Sequence, residues 1–156
     1  MTIYQTDYAK GVRQMPVAKG SELLAVRMKF ALVAALAAAD VIEFGFLPED
    51  HVPVDYVIDN DDLDSGATIT ADVGLLTAAG TAVSAAAADG GAKWLTASTG
   101  LRAAGLTGPT GVAHTRVAPS ATSRRKVGMV IAAGPSTATT GEIGVTLFYR
   151  AAAYGG

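Results

Sequence analysis

Apolar and polar positions alternate along three runs of residues between Asp40 and Leu76. The apolar set of each run, which is expected to face inward, is Ile42, Phe44 and Phe46 in the first, Val52, Val54, Tyr56 and Ile58 in the second, and Ile69, Ala71, Val73 and Leu75 in the third. Because successive side chains of a strand point to opposite faces of a sheet, a period of two predicts strands with one buried face. Two connections, 48–51 and 59–66, separate the runs and carry the Pro, Asp, Asn and Gly residues that favour turns. The segment therefore predicts an antiparallel β-meander, in which each strand pairs with the next.

Further alternating runs at 127–131 and 143–149 predict two C-terminal strands, which a loop rich in Gly and Thr would join as a hairpin. Residues 24–33 predict a strand near the N-terminus, and residues 112–117 predict a shorter one. About seven or eight strands in one chain of this length predict an all-β, single-domain fold, either an antiparallel β-sandwich or a barrel.

Two details refine these strands. Residues 24–33 also suit a helix, because alanine-rich sequence follows them, but the alternation places Arg27 and Lys29 on one side and favours a strand with an outer basic face. Pro53 lies inside a predicted strand. Since proline cannot donate a ladder hydrogen bond, either that strand lies at a sheet edge or Pro53 lies on its outward-pairing side.

Two segments depart from the strand pattern. Residues 1–20 predict an N-terminal arm, and residues 77–111 predict a long Ala/Gly-rich excursion within a β-sandwich domain of residues 21–156. The arm is either a frayed terminus or an extended segment that orders against a partner. Within the excursion Ala82–Ala88 predicts a short helix. Four larger residues are expected to anchor the excursion in the core or in a neighbour: Trp94, Leu95, Leu101 and Leu106.

Composition narrows the classes of function. Charged residues make up 17% of the 156 residues, below the roughly 25% usual for soluble domains, which hints at surface covered by partners. A net charge of −2 favours neither nucleic acid nor an anionic membrane as a partner. The chain has no cysteine, which excludes disulfides and thiolate chemistry. No targeting signal is evident, so we expect synthesis and use in a cytoplasm or in a particle assembled there.

The candidate chemistry is sparse, and we predict no catalytic residues, no metal site and no cofactor. The acidic loop 59–66 fits no register of an EF-hand, so we expect a solvated loop whose Asp and Asn side chains bond their own backbone. His51 and His114 have no partner at metal-ligand spacing and are expected to be surface or turn residues. No serine lies in a G-x-S-x-G motif.

Candidate contact residues fall in three places. In the arm, aromatic, apolar and basic side chains could anchor and steer a partner: Ile3, Tyr4, Tyr8 and Arg13. The basic cluster Arg124, Arg125 and Lys126 is either solvated or in contact with a partner, and Trp94 is a further candidate for such a contact.

Several motifs stand together from residue 24 to residue 150. They are Leu47-Pro48, the acidic pattern that runs from Val54 and Asp55 to Asp64-Ser65-Gly66, the strand Asp72–Leu76, the basic strand start Arg125–Gly128, and the C-terminal residues Gly141–Val145 and Phe148–Arg150. In these motifs the chain resembles the capsid decoration, or cement, proteins of tailed bacteriophages. The motifs are structural and not catalytic.

The resemblance implies a β-sandwich of jelly-roll type and a structural, non-enzymatic role. Such a protein would bind the outside of a phage capsid and clamp neighbouring major capsid subunits, with no nucleic acid or membrane as a partner. It would also associate with itself, as a homotrimer or a homodimer, and would be assembled on the virion in the host cytoplasm. The arm would make capsid contacts, while the basic cluster and Trp94 would contact the capsid or another copy.

Two alternatives remain from the residues themselves. A carbohydrate-binding β-sandwich would need exposed aromatic side chains on one face, yet aromatics are only 6% of the chain and mostly occupy alternating, inward positions. A hydrolase with a dispersed site would need a perturbed carboxylate in a deep pocket.

Overall fold

The computed structural model describes residues 1–152 and contains nine β-strands and two short 3₁₀ helices there. The strands are β1 Ile3–Gln5, β2 Leu24–Ala31, β3 Val41–Leu47, β4 His51–Asn60, β5 Thr70–Leu75, β6 Leu95–Ser98, β7 Gly105–Thr107, β8 Arg125–Ala133 and β9 Glu142–Ala151. The 3₁₀ helices are Gly100–Arg102 and Ala113–Arg116. Neither helix approaches the length and apolar character that crossing a membrane would require.

The strands form two packed sheets, in the orders β1-β3-β8-β5-β6 and β2-β9-β4-β7. β2 pairs with β9, β3 with β8, β4 with β7 and β5 with β6, all antiparallel. These nested pairs are those of one long hairpin rolled up so that successive strands alternate between sheets, which is a jelly roll. The predicted all-β sandwich of jelly-roll type is therefore confirmed.

The predicted pairing of neighbouring strands is wrong, although the strands themselves are present. β3 and β4 lie in different sheets, and β5 pairs with β6 and β8, so residues 40–76 do not form a meander. β8 and β9 also lie in different sheets and do not form a hairpin. Alternation of apolar and polar residues indicates only which side chains face inward. The same alternation occurs whether the next strand pairs in the same sheet or lies in the other sheet.

Strand β2 has the predicted orientation. Val26 and Met28 are buried, while Arg27 and Lys29 lie on the outer face of the sheet. There Arg27 pairs with Asp59 of β4 and with Glu142 of β9, and the Lys29 ammonium lies 2.7 Å from a Glu142 oxygen. The outer charges thus join the three adjacent strands of this sheet.

A β-bulge in β4 reverses the predicted inward face of its first half. The register with β9 shifts between Pro53 and Asp55, so His51 and Pro53 are buried before the bulge and Tyr56 after it. Val54, predicted to face inward, is 37% exposed. Only the end of β4 pairs with β7, so Pro53 has a strand on one side only, as its lack of an N–H requires.

A second bulge, in β3, has the same effect. The register with β8 shifts between Glu43 and Gly45, after which Leu47 is fully buried and Phe46 is only partly buried. Phe46 was predicted on the inner face with Phe44, and the extra residue turns it toward the surface.

The excursion after β5 follows the prediction in part. Trp94, Leu95 and Leu101 are buried in the core, but Leu106 is 78% exposed and does not anchor the excursion there. Its contact with a neighbour stays a prediction. Residues 82–88 form no helix, because a run this short gains too little from helix propensity alone. Residues 113–116 form a 3₁₀ helix where residues 112–117 were predicted as a strand.

The connections gather at the two ends of the sandwich. At one end the loops 32–40, 61–69 and 134–141 bond one another, for example Leu32 N–H to the Gly141 carbonyl. At the other end, here called the arm end, residues 8–18 of the arm meet the β3–β4 turn and the loop before β8. The predicted arm residues Tyr8 and Arg13 lie at the arm end.

Candidate functional site

The arm is tied to its own fold from its first residues. β1 pairs in parallel with the start of β3, and the Thr2 N–H donates to the buried Asp40 carboxylate over 2.6 Å. Gln5 Nε2 donates to the carboxylate of Glu43, which is 1% exposed, over 2.7 Å. These bonds contradict the frayed-terminus alternative, since a frayed segment would not satisfy two buried carboxylates.

The four arm residues singled out from the sequence differ in their surroundings. Ile3 is 41% exposed at the edge of the five-stranded sheet. Tyr4 is half-buried and packs on Phe30, with the ring centroids 5.4 Å apart. Tyr8 is half-buried against the core, and Arg13 is exposed.

His51 fixes the far part of the arm and corrects the prediction that it is a surface residue. Its side chain is buried; Nδ1–H donates to the Glu49 carbonyl over 2.6 Å, and Nε2 accepts the Ala18 N–H over 3.0 Å. These two contacts place a ring hydrogen on Nδ1 and leave the Nε2 lone pair to accept from the arm. Burial raises the pKa of Tyr149 to about 12, so its hydroxyl stays protonated and donates to the Pro16 carbonyl over 2.6 Å.

Replacing His51 with phenylalanine is expected to loosen the arm. The change keeps a ring in the buried site but leaves the Ala18 N–H without an acceptor, which costs about 1–3 kcal/mol of unfolding free energy. Urea unfolding measures that loss, and trypsin should cleave faster after Arg13 and Lys19. His51→Gln is the matched control, because an amide oxygen can accept the same N–H; equal losses in both variants would contradict the anchoring role.

A groove of about 720 Å³ opens at the arm end between the arm and the β3–β4 turn. Its apolar lining comes from both sides: Tyr8, Met15, Val17, Phe46 and Pro48. Arm segment 11–17 forms one wall of the groove. Two of its side chains, Val12 and Val17, are 72% and 59% exposed. Large apolar side chains this exposed, beside an apolar groove, are typical of a surface that binds another protein.

The rim of the same groove carries charges of both signs: Arg13 and Arg124, Glu49 and Asp50. Within residues 1–152 none of these four side chains forms an ion pair. The guanidinium carbon of Arg124 lies 4.3 Å from the centroid of the Phe46 ring, which holds that charge over the groove. The fold thus brings two predicted arm residues and one residue of the basic cluster to one surface.

The other two residues of the basic cluster serve the fold itself. Arg125 donates to Asp89, at 3.2 Å, and to the carbonyls of Ala88 and Ala118. The Lys126 ammonium lies 2.7 Å from the buried Glu43 carboxylate. Of these three side chains, only that of Arg124 forms no ion pair within residues 1–152.

Trp94 and His114 lie together in the core. Trp94 is 2% exposed, so its predicted contact with a partner is wrong, and its ring packs 5.4 Å from that of Tyr56. His114 is 5% exposed and edge-on to Tyr56, which corrects its expected surface position. Burial lowers the pKa of His114, although Asp55 and the hydrogen bond with the Val54 carbonyl act in the opposite direction.

The acidic loop is held by one buried carboxylate and is not simply solvated. Asp64 is fully buried and accepts the backbone N–H groups of Gly66, Thr68, Ile69 and Thr137, at 2.6–3.0 Å. Burial alone would raise the pKa of Asp64, but these four donors outweigh it and hold the pKa well below its usual range. In residues 1–152 no group of three or more His, Asp or Glu side chains is arranged to hold a metal ion.

The aromatic side chains give a carbohydrate-binding face no support. All nine aromatic residues within residues 1–152 are buried or half-buried, and the largest of them, Trp94, Tyr56, Tyr149 and Phe44, lie in the core. Sugar recognition by stacking needs a ring face open to solvent.

The chain is similar to a chain of the capsid of Ralstonia phage GP4, at 34% sequence identity and a TM-score of 0.82 over 96% of this chain and 97% of that chain. It is also similar to a chain of the capsid asymmetric unit of cyanophage Pam1, at 18% identity and a TM-score of 0.62 over 88% and 90% of the two chains. At that identity the second likeness shows the fold alone. No protein-family model matches the sequence, and no curated protein matches it.

Proposed function

Because this chain belongs to the family of phage capsid proteins represented in the capsid of Ralstonia phage GP4, we propose that it binds the outside of a phage capsid and clamps neighbouring major capsid subunits. The observation that carries the proposal is the extent of the match, which spans nearly all of both chains at 34% identity. The two chains therefore share one jelly-roll domain with little added to either.

The sandwich suits adhesion. Three of its four edge strands are short, since β1 and β7 have three residues each and β6 has four, so strand addition at those edges is disfavoured. A clamp gains from modest contacts repeated by symmetry, because each bound copy raises the effective concentration of the next contact. The proposed role is non-enzymatic and places the protein on the outer surface of the virion.

Among the arm residues, Ile3 and Tyr4 are the candidates for capsid contact. Ile3 presents an exposed apolar side chain at the edge of a sheet, and the half-buried Tyr4 beside it in sequence packs on Phe30. Tyr8 and Arg13, which line the groove, are candidates for contact between neighbouring copies.

The proposal is tested by mixing the purified protein with capsids that lack it. Co-sedimentation should saturate at a fixed number of copies per capsid that fits its symmetry. Absence of binding, or binding that rises without saturation, would contradict the clamp.

Replacing Ile3 with aspartate is expected to weaken capsid binding roughly tenfold or more, because a buried isoleucine contributes about 1.5–3 kcal/mol to a contact. Leu106→Asp is the control, since Leu106 is an exposed apolar residue of β7 in the other sheet. Titration of capsids with each variant measures the affinity, and thermal melting confirms that both variants fold. An Ile3→Asp affinity equal to that of the wild type would exclude Ile3 from the contact.

A further inference from the structure

The 3₁₀ helix Ala113–Arg116 is attached to the core mainly through one side chain. Of the four residues of this helix, only His114 is buried, at 5% exposure, while Thr115 and Arg116 are exposed. Within the helix the Thr115 N–H donates to the Val112 carbonyl over 3.1 Å. A helix of a single turn has little stability of its own, so its position depends on how well the His114 ring fits the core.

The site that holds the His114 ring is aromatic and leaves polar atoms unpaired. The imidazole lies edge-on to Tyr56, with the ring centroids 5.3 Å apart, and its centroid is 6.5 Å from that of Trp94. Within residues 1–152 neither His114 Nδ1 nor the buried Trp94 Nε1 has a hydrogen-bond partner. Buried polar atoms without partners are destabilising, so they weaken this contact relative to the rest of the core.

A positive charge on the imidazole would be poorly compensated in this site. Burial lowers the pKa of His114, and the opposing effects of the Asp55 carboxylate and the Val54 carbonyl do not cancel that shift. Asp55 is exposed, so water weakens its attraction for the ring. Tyr56 supplies no negative charge, because burial raises the pKa of its hydroxyl, which donates to the Trp94 carbonyl over 3.1 Å.

The other charged groups around the helix do not offset such a charge. Two ion pairs lie on the neighbouring segments, Lys93–Asp72 at 2.5 Å and Arg125–Asp89 at 3.2 Å. Arg116, on the helix itself, has the same sign as a protonated imidazole. The charged His114 ring therefore has a lower free energy outside the core, where water solvates it.

We infer that helix 113–116 is an acid-released latch, which neutral His114 holds against Tyr56 and Trp94 and which protonation of His114 releases while both sheets stay folded. The inference goes beyond the proposed function and does not depend on it. The segment after the helix leads to the arm end, where the Ser120 carbonyl accepts the Asp50 N–H over 2.9 Å. Release of the latch would therefore remove a restraint on the segment that contacts one side of the groove.

Hydrogen exchange at the indole N–H of Trp94 tests the latch, because Trp94 is the single tryptophan of the chain. Its protection factor is the exchange rate of free indole divided by the observed rate at the same pH, and it falls as the open population rises. The released ring has the ordinary pKa of about 6.5, and the pKa of the seated ring is lower. Trp94 protection should therefore fall by up to about tenfold for each pH unit below about 6.5. Proton NMR between pH 7 and pH 5 measures it.

Two variants separate His114 from the other histidine. His114→Phe keeps a ring in the site but cannot be protonated, so its Trp94 protection should not change between pH 7 and pH 5. His51→Gln is the control, because His51 bonds the arm at the Ala18 N–H and should leave the wild-type pH dependence of Trp94 intact.

The amide of Ile131 distinguishes local release from unfolding of the whole protein. Ile131 is fully buried in β8, and its N–H donates to the Asp40 carbonyl over 2.8 Å. Its protection should exceed that of Trp94 at every pH, since the latch opens while the sheets stay folded. Trp94 protection equal to that of Ile131, or independent of pH in the wild type, would overturn the inference even if a variant fails to fold. So would the wild-type pH dependence in His114→Phe.

Discussion

Replacing Asp64 with asparagine is expected to lower the melting temperature by roughly 10 °C or more. Four backbone N–H groups converge on this carboxylate, and they join residues 64–69 to Thr137 in the loop between β8 and β9. An amide cannot accept from all of them, because its NH₂ group is a donor that would face other donors. Thermal unfolding followed by circular dichroism measures the change.

Acid should narrow the difference in stability between the wild type and Asp64→Asn. The pKa of Asp64 in the folded state lies below its ordinary value of about 3.9, so its contribution is fully present above that pH and is lost as the pH falls below it. Stability measured from pH 7 to pH 2 should therefore fall more steeply for the wild type than for Asp64→Asn. Asp62→Asn is the control, since Asp62 is exposed and, within residues 1–152, its carboxylate accepts only the Asp64 N–H. Parallel curves for Asp64→Asn and the wild type would contradict the role of the Asp64 carboxylate.

Replacing Gly90 with alanine is expected to destabilise the protein by about 2–4 kcal/mol. Gly90 has a φ of 103°, and a Cβ there would overlap with the carbonyl oxygen of Ala113, a backbone atom that cannot rotate away. The helix 113–116 would have to move, and it carries the buried His114 that packs on Tyr56. Equilibrium unfolding in urea measures the loss, and the near-ultraviolet circular dichroism of the Trp94 and Tyr56 environment should change with it.

The neighbouring glycine provides the matched control. Gly91 also has a positive φ, 75°, but a Cβ there would meet no atom within 4 Å. Gly91→Ala should therefore cost only the backbone strain, about 1–2 kcal/mol. If the two variants lose the same stability, the close approach of Gly90 to Ala113 is not important for the fold.

Strand positions could be predicted from the sequence, but strand partners could not. The alternation located β2, β5, β8 and β9 to within a few residues, because burial of one face requires a period of two. Pairing depends on which sheet each connection enters, and that is decided by packing of residues distant in sequence. Leu24, for example, pairs with Tyr149.

The β-bulges in β3 and β4 explain why some inward-facing residues were predicted incorrectly from the sequence. Because of one extra residue in β4, the side chains before the bulge lie on the opposite face of the sheet from the one predicted. His51 is therefore buried and Val54 is exposed. Nothing in the local sequence distinguishes a bulged strand from a regular one unless a glycine or proline indicates it, and Pro53 is such a signal. With the bulge placed there, the inward position of His51 could have been predicted.

For the groove at the arm end, the sequence could predict some of the residues involved but not how they come together. Tyr8, Arg13 and Arg124 were identified as unusual side chains outside the alternating pattern, yet residues 8 and 124 meet only because the arm crosses the end of β3. Glu49 and Asp50 looked like ordinary turn residues, and their place opposite two arginines depends on that same crossing. Arg125 and Lys126, adjacent to Arg124 in sequence, are turned inward to Asp89 and Glu43 by their positions at the start of β8.

The position of β9 between β2 and β4 has a consequence for how the protein is made. During synthesis β2 and β4 leave the ribosome long before the strand that separates them, and each presents unpaired backbone groups until β9 arrives. Folding must then wait for loop closures of more than a hundred residues, which places it among the slow, millisecond-to-second folders. Nascent chains interrupted before residue 142 should therefore bind chaperones or aggregate through β2 and β4.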